Sequence, residues 1–321
     1  MDGGASLNER SPARHAAIES TWAVVVNRDG GERNLACVRS LIAQGVRPEH
    51  VVFVDNGSTD GAADALERAW PGVRCLRNRE NLGYGHGNNR GIEHALARGA
   101  AFVFLLNNDA TVPTDALPRL LDVLASEPDV GIVGPRILYP EPSGLVWCAG
   151  GVMTYRQNLS AMIGHRCPDG PRYRVTREVD YVAGCAMLVR RAVFERAGLL
   201  DGDFFGYHED VDFCLRARAE GFRVLVAGEI VVYHAPHSTT GGGYNARRKY
   251  MMGVNTVWFL RRHGTPLRWL SFLLFDVLTL PAVLAFRSLH GEGRAVLAKA
   301  RGTLDGLRGR RVDPVKVFRD F

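Results

Sequence analysis

The stretch "HVVFVDNGSTDGAADALERAWPGVRCL" (residues 50–76) decides the fold, because it places one helical pattern between two apolar runs. The runs at 50–55 and 72–76 are short and rich in valine, as buried strands are. The segment between them predicts a helix around 61–69. A strand, a helix and a second strand in this order indicate two parallel strands joined by a helical crossover.

The same alternation continues on both sides of this unit. It predicts strands at 22–27, 101–107 and 130–135, and helices at 34–44, 88–99 and 114–126. Further along, it predicts a strand at 181–191, a helix at 209–221 and two short strands within 222–234, after an irregular stretch at 136–180. The chain is therefore expected to be an α/β protein with a mixed, mostly parallel sheet covered by helices on both faces.

Composition limits the class of protein. The chain has 321 residues, of which 46% are hydrophobic and 23% charged, with a formal net charge of +6. These values are typical of a soluble globular protein with one large domain and an appendage, or with two modest domains. Basic residues concentrate near the C-terminus, which suits an anionic membrane face. No RNA-binding motif and no regular interleaving of basic and aromatic residues occur, so we expect no nucleic-acid partner.

The cysteines and the N-terminus indicate the compartment. The six cysteines are scattered, without a Cys-x-x-Cys pair, and are expected to be buried thiols in a reducing environment. Residues 1–20 are polar and alanine-rich, which predicts a disordered arm and lacks the apolar core of a signal peptide. The sequence therefore predicts a cytoplasmic protein.

Polar residues follow three predicted strands at the point where each strand ends. They lie at 27–29, at 55–56 and at 107–109. Each group alone is equally compatible with an ordinary turn, because Asn and Asp commonly begin turns. Ligands of parallel sheets bind beyond the carboxyl ends of strands, so the coincidence favours a binding site at this edge.

A glycine-rich stretch, "NLGYGHGNNRG" (81–91), precedes a helical pattern. Gly83, Gly85 and Gly87 are expected to let the backbone approach a ligand, with the helix N-terminus facing an anion. Asn88 breaks the Gly-x-Gly-x-x-Gly fingerprint, and no Walker lysine follows, so a dinucleotide site is disfavoured. The weaker alternative is a glycine-rich turn before a helix.

Acidic residues and a histidine provide candidate chemistry. Asp109 follows a buried strand and could bind a divalent cation shared with a diphosphate, or could begin the next helix. His234 ends a predicted strand and could complete such a metal site only if the fold brings it to Asp109. His237 follows three residues later, in a segment whose Pro and Gly favour a loop.

The stretch "YHEDVDFCLR" (207–216) concentrates three carboxylates at a predicted helix start. Glu209 and Asp210 fall in the first turn, where the helix dipole favours anions. Alternatively, Asp210 is a general base that takes a proton from an attacking hydroxyl. Asp212 and Arg216 have the i,i+4 spacing of an intrahelical ion pair.

Seven strings in this order resemble the family 2 glycosyltransferases of the GT-A fold, and most closely the bacterial rhamnosyltransferase-like group. The strings are "AVVVN", "VVFVDNGSTDG", "NRENLGYGHGNNRGI", "FLLNNDATVP", "GCAMLVRRAVFERAGLLDGDFF", "YHEDVDFCLR" and "VVYHAPHST". The resemblance implies a GT-A domain at 21–265, with a nucleotide-sugar half at 21–135 and an acceptor half at 136–245. A C-terminal helical extension would occupy 266–321.

The resemblance also implies roles for individual residues. Those implied to contact the nucleotide-sugar are Asn27, Asp29, Asp55, Asn81, Gly83, Asn88 and Asn108. Asp109 and His234 would hold Mg²⁺ or Mn²⁺ together with the diphosphate. Asp210 would be the catalytic base, with Glu209 beside it.

The implied reaction is an inverting transfer of a sugar to a hydroxyl of a glycan or a lipid-linked acceptor. The first choice of donor is dTDP-rhamnose, ahead of UDP-linked sugars. The chain departs from the usual pattern in having Asn27-Arg28-Asp29 in place of Asn-Tyr-Asn, and Asn107 in place of the first metal-binding aspartate. The alternatives are a metal-dependent nucleotide-sugar hydrolase or nucleotidyltransferase and a non-catalytic sugar-nucleotide-binding protein.

The segment at 266–291 is long and apolar enough to span a bilayer, yet Arg268, Asp276 and Arg287 interrupt it and Pro281 would kink it. A basic helical pattern follows. We therefore expect helices that lie at the cytoplasmic face of the membrane. A true membrane span and a packing or dimerisation helix are the alternatives.

Overall fold

The computed structural model describes residues 12–156, 159–236 and 244–320. In this part of the chain, a ten-stranded mixed sheet carries the fold, with a two-stranded ribbon beside it. The strands are β1 (Thr21–Asn27), β2 (Val51–Asp55), β3 (Arg74–Arg77), β4 (Phe102–Asn107), β5 (Ala110–Thr111), β6 (Val130–Leu138), β7 (Val146–Cys148), β8 (Gly151–Met153), β9 (Ser160–Met162), β10 (Arg177–Glu178), β11 (Ala186–Arg190) and β12 (Arg223–His234).

The sheet has the order β10-β12-β6-β11-β4-β1-β2-β3, with β5 beside β12 and β7 beside β6. The pairs β1–β2, β1–β4, β2–β3 and β6–β12 are parallel, whereas β11 runs antiparallel between β4 and β6. The prediction of a mixed, mostly parallel sheet is confirmed. The chain leaves β1 on one side toward β2 and returns to its other side as β4, and such a reversal opens a crevice at the carboxyl ends.

Helices cover both faces of the sheet. The helices are α1 (Pro12–Glu19), α2 (Arg33–Ala43), α3 (Ala62–Ala69), α4 (Gly83–Leu96), α5 (Ala116–Ser126), α6 (Arg191–Ala197), α7 (Glu209–Ala219), α8 (Ala246–His263), α9 (Pro266–Phe272), α10 (Leu280–Ser288), α11 (Gly293–Leu307) and α12 (Pro314–Asp320). Alternate residues of the central strands pack to opposite sides, so Val25 and Phe53 belong to one core and Val24 and Val52 to the other. The side of Val25 carries α2, α3 and α5, and the side of Val24 carries α4, α6 and α7.

The N-terminal prediction is wrong where the chain is described. Residues 12–19 form helix α1 instead of a disordered arm, while residues 1–11 lie outside the described part. Ile18 is buried in the core, and the Arg14 guanidinium pairs with the Asp122 carboxylate on α5. One apolar anchor and one ion pair hold this short helix, and neither gives a periodic signal in so polar a segment.

The predicted pair of strands within 222–234 is one strand, β12, with an irregularity between Ala227 and Val231. A bulge of this kind lets a strand bend without ending. The Gly228-Glu229 pair therefore marks a bend and not a turn. As a result, His234 is the last residue of one continuous strand of 12 residues.

The glycine-rich stretch belongs to helix α4, which begins at Gly83, before the predicted start at 88. A Cβ on Gly85 would meet Gly202 Cα at 2.8 Å, and a Cβ on Gly87 would meet Val26 Cγ1 at 3.1 Å. These two glycines let the helix pack against neighbouring protein, so the expectation that they approach a ligand is wrong. Gly83 has a φ of 80° and does face the cavity described below.

The C-terminal helices pack on the rest of the protein through α8. A Cβ on Gly253 of α8 would meet the Thr303 amide of α11 at 2.8 Å, which shows how closely the two helices approach. Residues 266–288 contain α9, a π-helical turn at 273–277 and α10. By length and composition this segment could cross a membrane, with a mean hydropathy of 2.0 and 11% of its most apolar window buried.

Candidate functional site

A cavity of about 1120 Å³ opens at the carboxyl edge of the sheet, where β1, β2 and β4 end. It is larger than the pocket that a single drug-sized ligand needs. The predicted site residues that line it are Asn81, Gly83, Asn108, Asp109, Glu209, Asp210 and His234. The sequence thus predicted seven residues that the fold brings to one cavity, from four separate parts of the chain.

Four other predicted residues are not among the described cavity-lining residues, namely Asn27, Asp29, Asp55 and Asn88. Three of them bind the loops behind the cavity. The Asn27 Oδ1 accepts hydrogen bonds from the Gly30 amide and from Asn108 Nδ2, each at 2.9 Å. The Asp29 Oδ1 accepts from the Thr59 amide at 2.8 Å, and the Asp55 Oδ1 accepts from the Ser58 amide at 3.1 Å.

Asn88 lies within α4 and points back along it. Its Nδ2 donates a hydrogen bond to the Tyr84 carbonyl at 2.9 Å, and the residue is buried. The resemblance to relatives placed this residue along the donor. In this chain it supports the helix that carries Gly83 and Tyr84 to the cavity wall.

Asn56, which lies in one of the predicted polar strand ends but was assigned no role, also lines the cavity. Its Nδ2 donates to Asn81 Oδ1 and to the Gly83 carbonyl at 3.0 Å each, and its Oδ1 accepts from Asn78 Nδ2 at 2.9 Å. A buried amide with all these partners fixes the position of the start of α4. Its position directly after Asp55, at the end of β2, is the sequence feature that could have indicated this role.

Asp109 and His234 meet because β5 pairs with β12. In that pairing His234 lies opposite Ala110, and the Ala235 amide donates to the Asp109 carbonyl at 2.9 Å. The His234 Nε2 atom lies 3.0 Å from Asp109 Oδ1, and both side chains are buried. Trp147 packs edge-on against the imidazole, with ring centroids 4.6 Å apart. The fold therefore satisfies the condition that the sequence set for a shared metal site.

The donor atoms at this point suit Mg²⁺ or Mn²⁺. A carboxylate oxygen and an imidazole nitrogen are ligands that Mn²⁺ accepts, and Mg²⁺ is usually held by few protein groups together with phosphate oxygens. Apart from the contact of Nε2 with Asp109, the His234 nitrogens have no hydrogen-bond partner among the described residues, which is unusual for a buried ring. No group of three or more His, Cys, Asp or Glu residues that could hold a metal ion occurs in the described part of the chain.

Glu209 and Asp210 begin helix α7 on the opposite wall of the cavity. The Asp210 carboxylate accepts hydrogen bonds from the Gly184 amide at 3.0 Å and from the Val211 amide at 2.9 Å. Burial raises the pKa of Asp210, although these amide donors oppose the shift. Burial, and then the charge of Asp210, raise the pKa of Glu209 well above its usual range. The environment therefore favours the protonated form of Glu209 and, more weakly, that of Asp210.

Asp212 connects α7 to the end of α8. Its carboxylate is fully buried and contacts Arg216 Nε at 2.8 Å, Arg262 at 2.9 Å and His263 Nε2 at 2.8 Å. Burial alone would raise its pKa, but the hydrogen bond from His263 and the charge of Arg216 lower the pKa to about 2. The predicted pair of Asp212 and Arg216 is confirmed, and it belongs to a larger network that joins α7 to the end of α8.

Asp212→Asn is expected to lower the free energy of unfolding by about 2 kcal/mol, because the partly exposed Arg216, Arg262 and His263 lose the buried carboxylate with which they pair. Urea denaturation at neutral pH measures the change. Since the folded pKa is depressed, the stabilisation is present above the ordinary aspartate pKa and is lost as the pH falls toward 2. The difference between variant and wild type should therefore shrink in acid. Asp64→Asn, which removes an exposed partner of Arg77, should cost less than about 1 kcal/mol, and equal losses would contradict the role given to Asp212.

The chain matches the family model "Glycosyltransferase like family 2" over residues 20–253. It is 34% identical over 295 residues to the N-acetylglucosaminyl-diphospho-decaprenol L-rhamnosyltransferase of Mycobacterium tuberculosis, covering 84% of this chain and 91% of that relative. The family match covers the predicted site residues that line the cavity, from Asn81 to His234.

Solved structures share the fold at low sequence identity. A mannosyltransferase from Pyrobaculum calidifontis, solved with GDP-Man and Mn²⁺, has a TM-score of 0.56 at 16% identity and covers 90% of this chain and 87% of its own. GalNAc-T7 with UDP, GalNAc and Mn²⁺ has a TM-score of 0.55 at 16% identity and covers 67% and 43%. At this identity the likeness shows the GT-A fold alone, and it confirms the expected fold class.

Proposed function

Because the chain belongs to the family 2 glycosyltransferases, we propose that it transfers rhamnose from dTDP-rhamnose, with inversion, to a hydroxyl group of a lipid-linked acceptor. The observation that carries this proposal is the single cavity in which Asp210 and Glu209 face Asp109 and His234. A relative that shares 34% of its residues over most of both chains is named as a rhamnosyltransferase for a diphospho-decaprenol acceptor. That name supports both the donor sugar and the class of acceptor.

The donor is proposed to lie along the ends of β1, β2 and β4. Asp55, Asn27 and Asp29 would form or support the pocket for the base, since their hydrogen bonds fix the two loops there. Asn81, Gly83 and Asn108 would lie along the nucleotide-sugar, and Asn88 would support Gly83 from within α4. Arg28, which replaces the usual tyrosine of the family pattern, also lines the cavity and adds a positive charge.

The proposed reaction is one displacement. The Asp210 carboxylate takes the proton of the acceptor hydroxyl as its oxygen forms a bond to the anomeric carbon of the sugar. The bond between that carbon and the diphosphate oxygen breaks, and the nucleoside diphosphate leaves with the electron pair. A single displacement inverts the anomeric centre. Glu209, whose pKa is raised by burial and then by the charge of Asp210, is proposed as a positioning residue beside the base.

Asp109 and His234 are proposed to hold a divalent metal ion, whose role when bound is to offset the negative charge of the departing diphosphate. Their buried donor atoms, 3.0 Å apart, suit that ion. Asn107 stands where relatives often carry a further carboxylate, so fewer protein ligands and more diphosphate oxygens would complete the coordination.

We further propose a cytoplasmic protein whose segment at 266–288 lies on the inner face of the cell membrane. Large apolar side chains of this segment are exposed, including Leu267 at 74% and Leu278 at 67%. Arg268 and Arg287 flank them, as is usual for helices that lie in a membrane interface. This position would bring the cavity to a lipid-linked acceptor.

With Mn²⁺ present, dTDP-rhamnose is expected to raise the melting temperature by about 5 °C at 100 times its dissociation constant. UDP-glucose, UDP-N-acetylglucosamine and GDP-mannose serve as matched competitors, and EDTA should abolish the shift. A shift with another donor only would move the proposal to that sugar.

Two alternatives give different products. Release of dTDP from dTDP-rhamnose without any acceptor, at the rate seen with acceptor, would favour a nucleotide-sugar hydrolase. Binding without turnover on any polyprenyl-diphosphate glycan would favour a sugar-nucleotide-binding protein.

A further inference from the structure

One wall of the cavity carries positive charge that the reaction described above does not use. We define the cation cluster as Arg247, Arg248 and Lys249 in the first turn of α8, with Arg287 of α10 and Lys299 of α11. All five line the same cavity as Asp210. The cluster lies beside the loop that leads into α7, since the Arg248 guanidinium lies over the Tyr207 ring at 5.2 Å from its centroid.

The charge of this cluster is only partly balanced. Lys299 pairs with Asp276, and Arg287 pairs with Glu292 at 2.6 Å. Within residues 12–156, 159–236 and 244–320, no carboxylate pairs with Arg247, Arg248 or Lys249. The segment at 237–243 contains no acidic residue that could do so. Three positive charges therefore face the cavity without counter-charges on the described protein.

Aromatic rings hold these three cations in position. Lys249 Nζ lies 4.3 Å from the centroid of Tyr244, and the Arg247 guanidinium lies 4.5 Å from that of Phe318. Such contacts orient a cation without neutralising it. The Nε atoms of Arg247 and Arg248 are buried and lack hydrogen-bond partners among the described residues. Preorganised cations with unused donors are what a phosphate site requires.

Lys249 is the most telling member of the cluster. Lys249 is only 9% exposed, and its side chain makes no hydrogen bond or ion pair with the described residues. Burial, and then repulsion by Lys299 and Arg248, lower the pKa of this ammonium group to about 8. An anion bound in the cavity would offset the cost of burying this charge. The positive end of α8, whose first turn carries the cluster, adds to the attraction.

The cavity continues from the cluster onto an exposed apolar surface. We define the apolar face as Leu267, Leu270, Leu274, Leu278, Phe286 and Leu289, all of which are exposed. Phe275, Leu280 and Val283 of the same helices line the cavity itself. A molecule with an anionic head at the cluster would therefore have a continuous apolar path for a tail.

We propose that the cation cluster binds the diphosphate of a polyprenyl-diphosphate acceptor and that the apolar face receives its hydrocarbon chain. This inference rests on the transferase function proposed above and assigns its acceptor site. The diphosphate of the donor has the same chemistry, but it is proposed to bind at Asp109 and His234. Only an acceptor with a lipid chain would also contact the apolar face.

The probe is farnesyl diphosphate, which has the same head group and a short chain, titrated in EDTA so that no metal site competes. Binding is followed by the fluorescence of the five tryptophans, below the concentration at which the probe forms micelles. Inorganic pyrophosphate should bind more weakly, because it lacks the chain. Arg247→Gln with Arg248→Gln, and separately Lys249→Gln, should each weaken farnesyl diphosphate at least about 10-fold. Arg294→Gln, an exposed cation of α11, is the matched control and should change nothing.

Two further arms separate the sources of the diphosphate. Leu270→Gln with Leu274→Gln should weaken farnesyl diphosphate and leave pyrophosphate binding unchanged. The thermal shift with dTDP-rhamnose and Mn²⁺ should survive in the cluster variants. Loss of that shift together with unchanged farnesyl diphosphate binding would assign the cluster to the donor and overturn the inference.

The experiment distinguishes failure of the transferase proposal from failure of the lipid-diphosphate site. Farnesyl diphosphate that binds through the cluster, in a protein that ignores every nucleotide-sugar, would support the lipid-diphosphate site while refuting the reaction. Equal affinities of all variants for farnesyl diphosphate would refute the site whatever the donor does. Circular dichroism of each variant verifies that it is folded.

Discussion

Asp210→Asn should lower kcat by about 10³-fold, because an amide cannot take the proton of the acceptor hydroxyl. The loss should appear with the affinity for dTDP-rhamnose unchanged, since Asp210 is proposed to act on the acceptor and not on the donor. Asn keeps an oxygen that can accept the hydrogen bond from the Gly184 amide, so the start of α7 should hold its position. The measurement is initial rate in saturating donor, with thermal shift as the test of donor binding.

Asp203→Asn is the matched control, because Asp203 is an exposed carboxylate close in sequence and is not among the described cavity residues. It should retain wild-type kcat. A fall of similar size in both variants, or a weakened donor in Asp210→Asn, would contradict the assignment of the base.

The pH dependence gives a second measurement on the same group. Burial raises the pKa of Asp210, and the base must be ionised, so kcat/KM should rise with pH through a pKa above the ordinary aspartate value of about 3.9. This acid limb should disappear from the residual activity of Asp210→Asn. A limb that persists unchanged in the variant would belong to another group.

Asp109→Ala is expected to lower kcat by about 10²- to 10³-fold, because it removes a ligand of the proposed metal ion, which would stabilise the departing diphosphate by several kcal/mol. The variant should also lose the Mn²⁺-dependent part of the thermal shift with dTDP-rhamnose. Its effect should differ from that of Asp210→Asn, in which donor binding survives. The two substitutions therefore separate the two ends of the reaction.

Asp129→Ala removes an exposed aspartate that pairs with Arg223 far along the sheet, and it serves as the control. It should keep both the shift and the rate. Full Mn²⁺-dependent stabilisation of Asp109→Ala would mean that the metal binds elsewhere. In that case His234→Ala should not weaken Mn²⁺ binding either.

The sequence was sufficient to predict the central sheet. Residues such as Val24 and Phe53 form short β-branched or aromatic runs, and the helices between them leave few other arrangements. The polar residues after three strands indicated the site edge, because parallel strands bring their ends together. The bend in β12 could not be predicted in the same way, since a bulge and a turn share the Gly-Glu pair at 228–229.

The missed residues have a common cause. Asn56 contacts residues more than 20 positions away, and Lys249 reaches the cavity only through the packing of α8, so no local pattern reveals either role. Gly85 and Gly87 gave a strong local signal, yet tight packing and ligand approach demand the same residue. The basic residues at 247–249 belong to no motif that the sequence analysis used, and only the fold shows that they line the cavity.

Helix α8 connects the cation cluster at its start with the ion-pair network around Asp212 at its end. Its first turn carries Arg248 and Lys249, and its last turn carries Arg262 and His263, which grip Asp212 two residues beyond the base. A helix of this length spans about 27 Å and resists compression. The cluster lies beside Tyr207, three residues before Asp210, so both ends of α8 contact α7 or the loop that leads into it. A rigid helix anchored in this way would hold a diphosphate at the cluster in a fixed position relative to the proposed base.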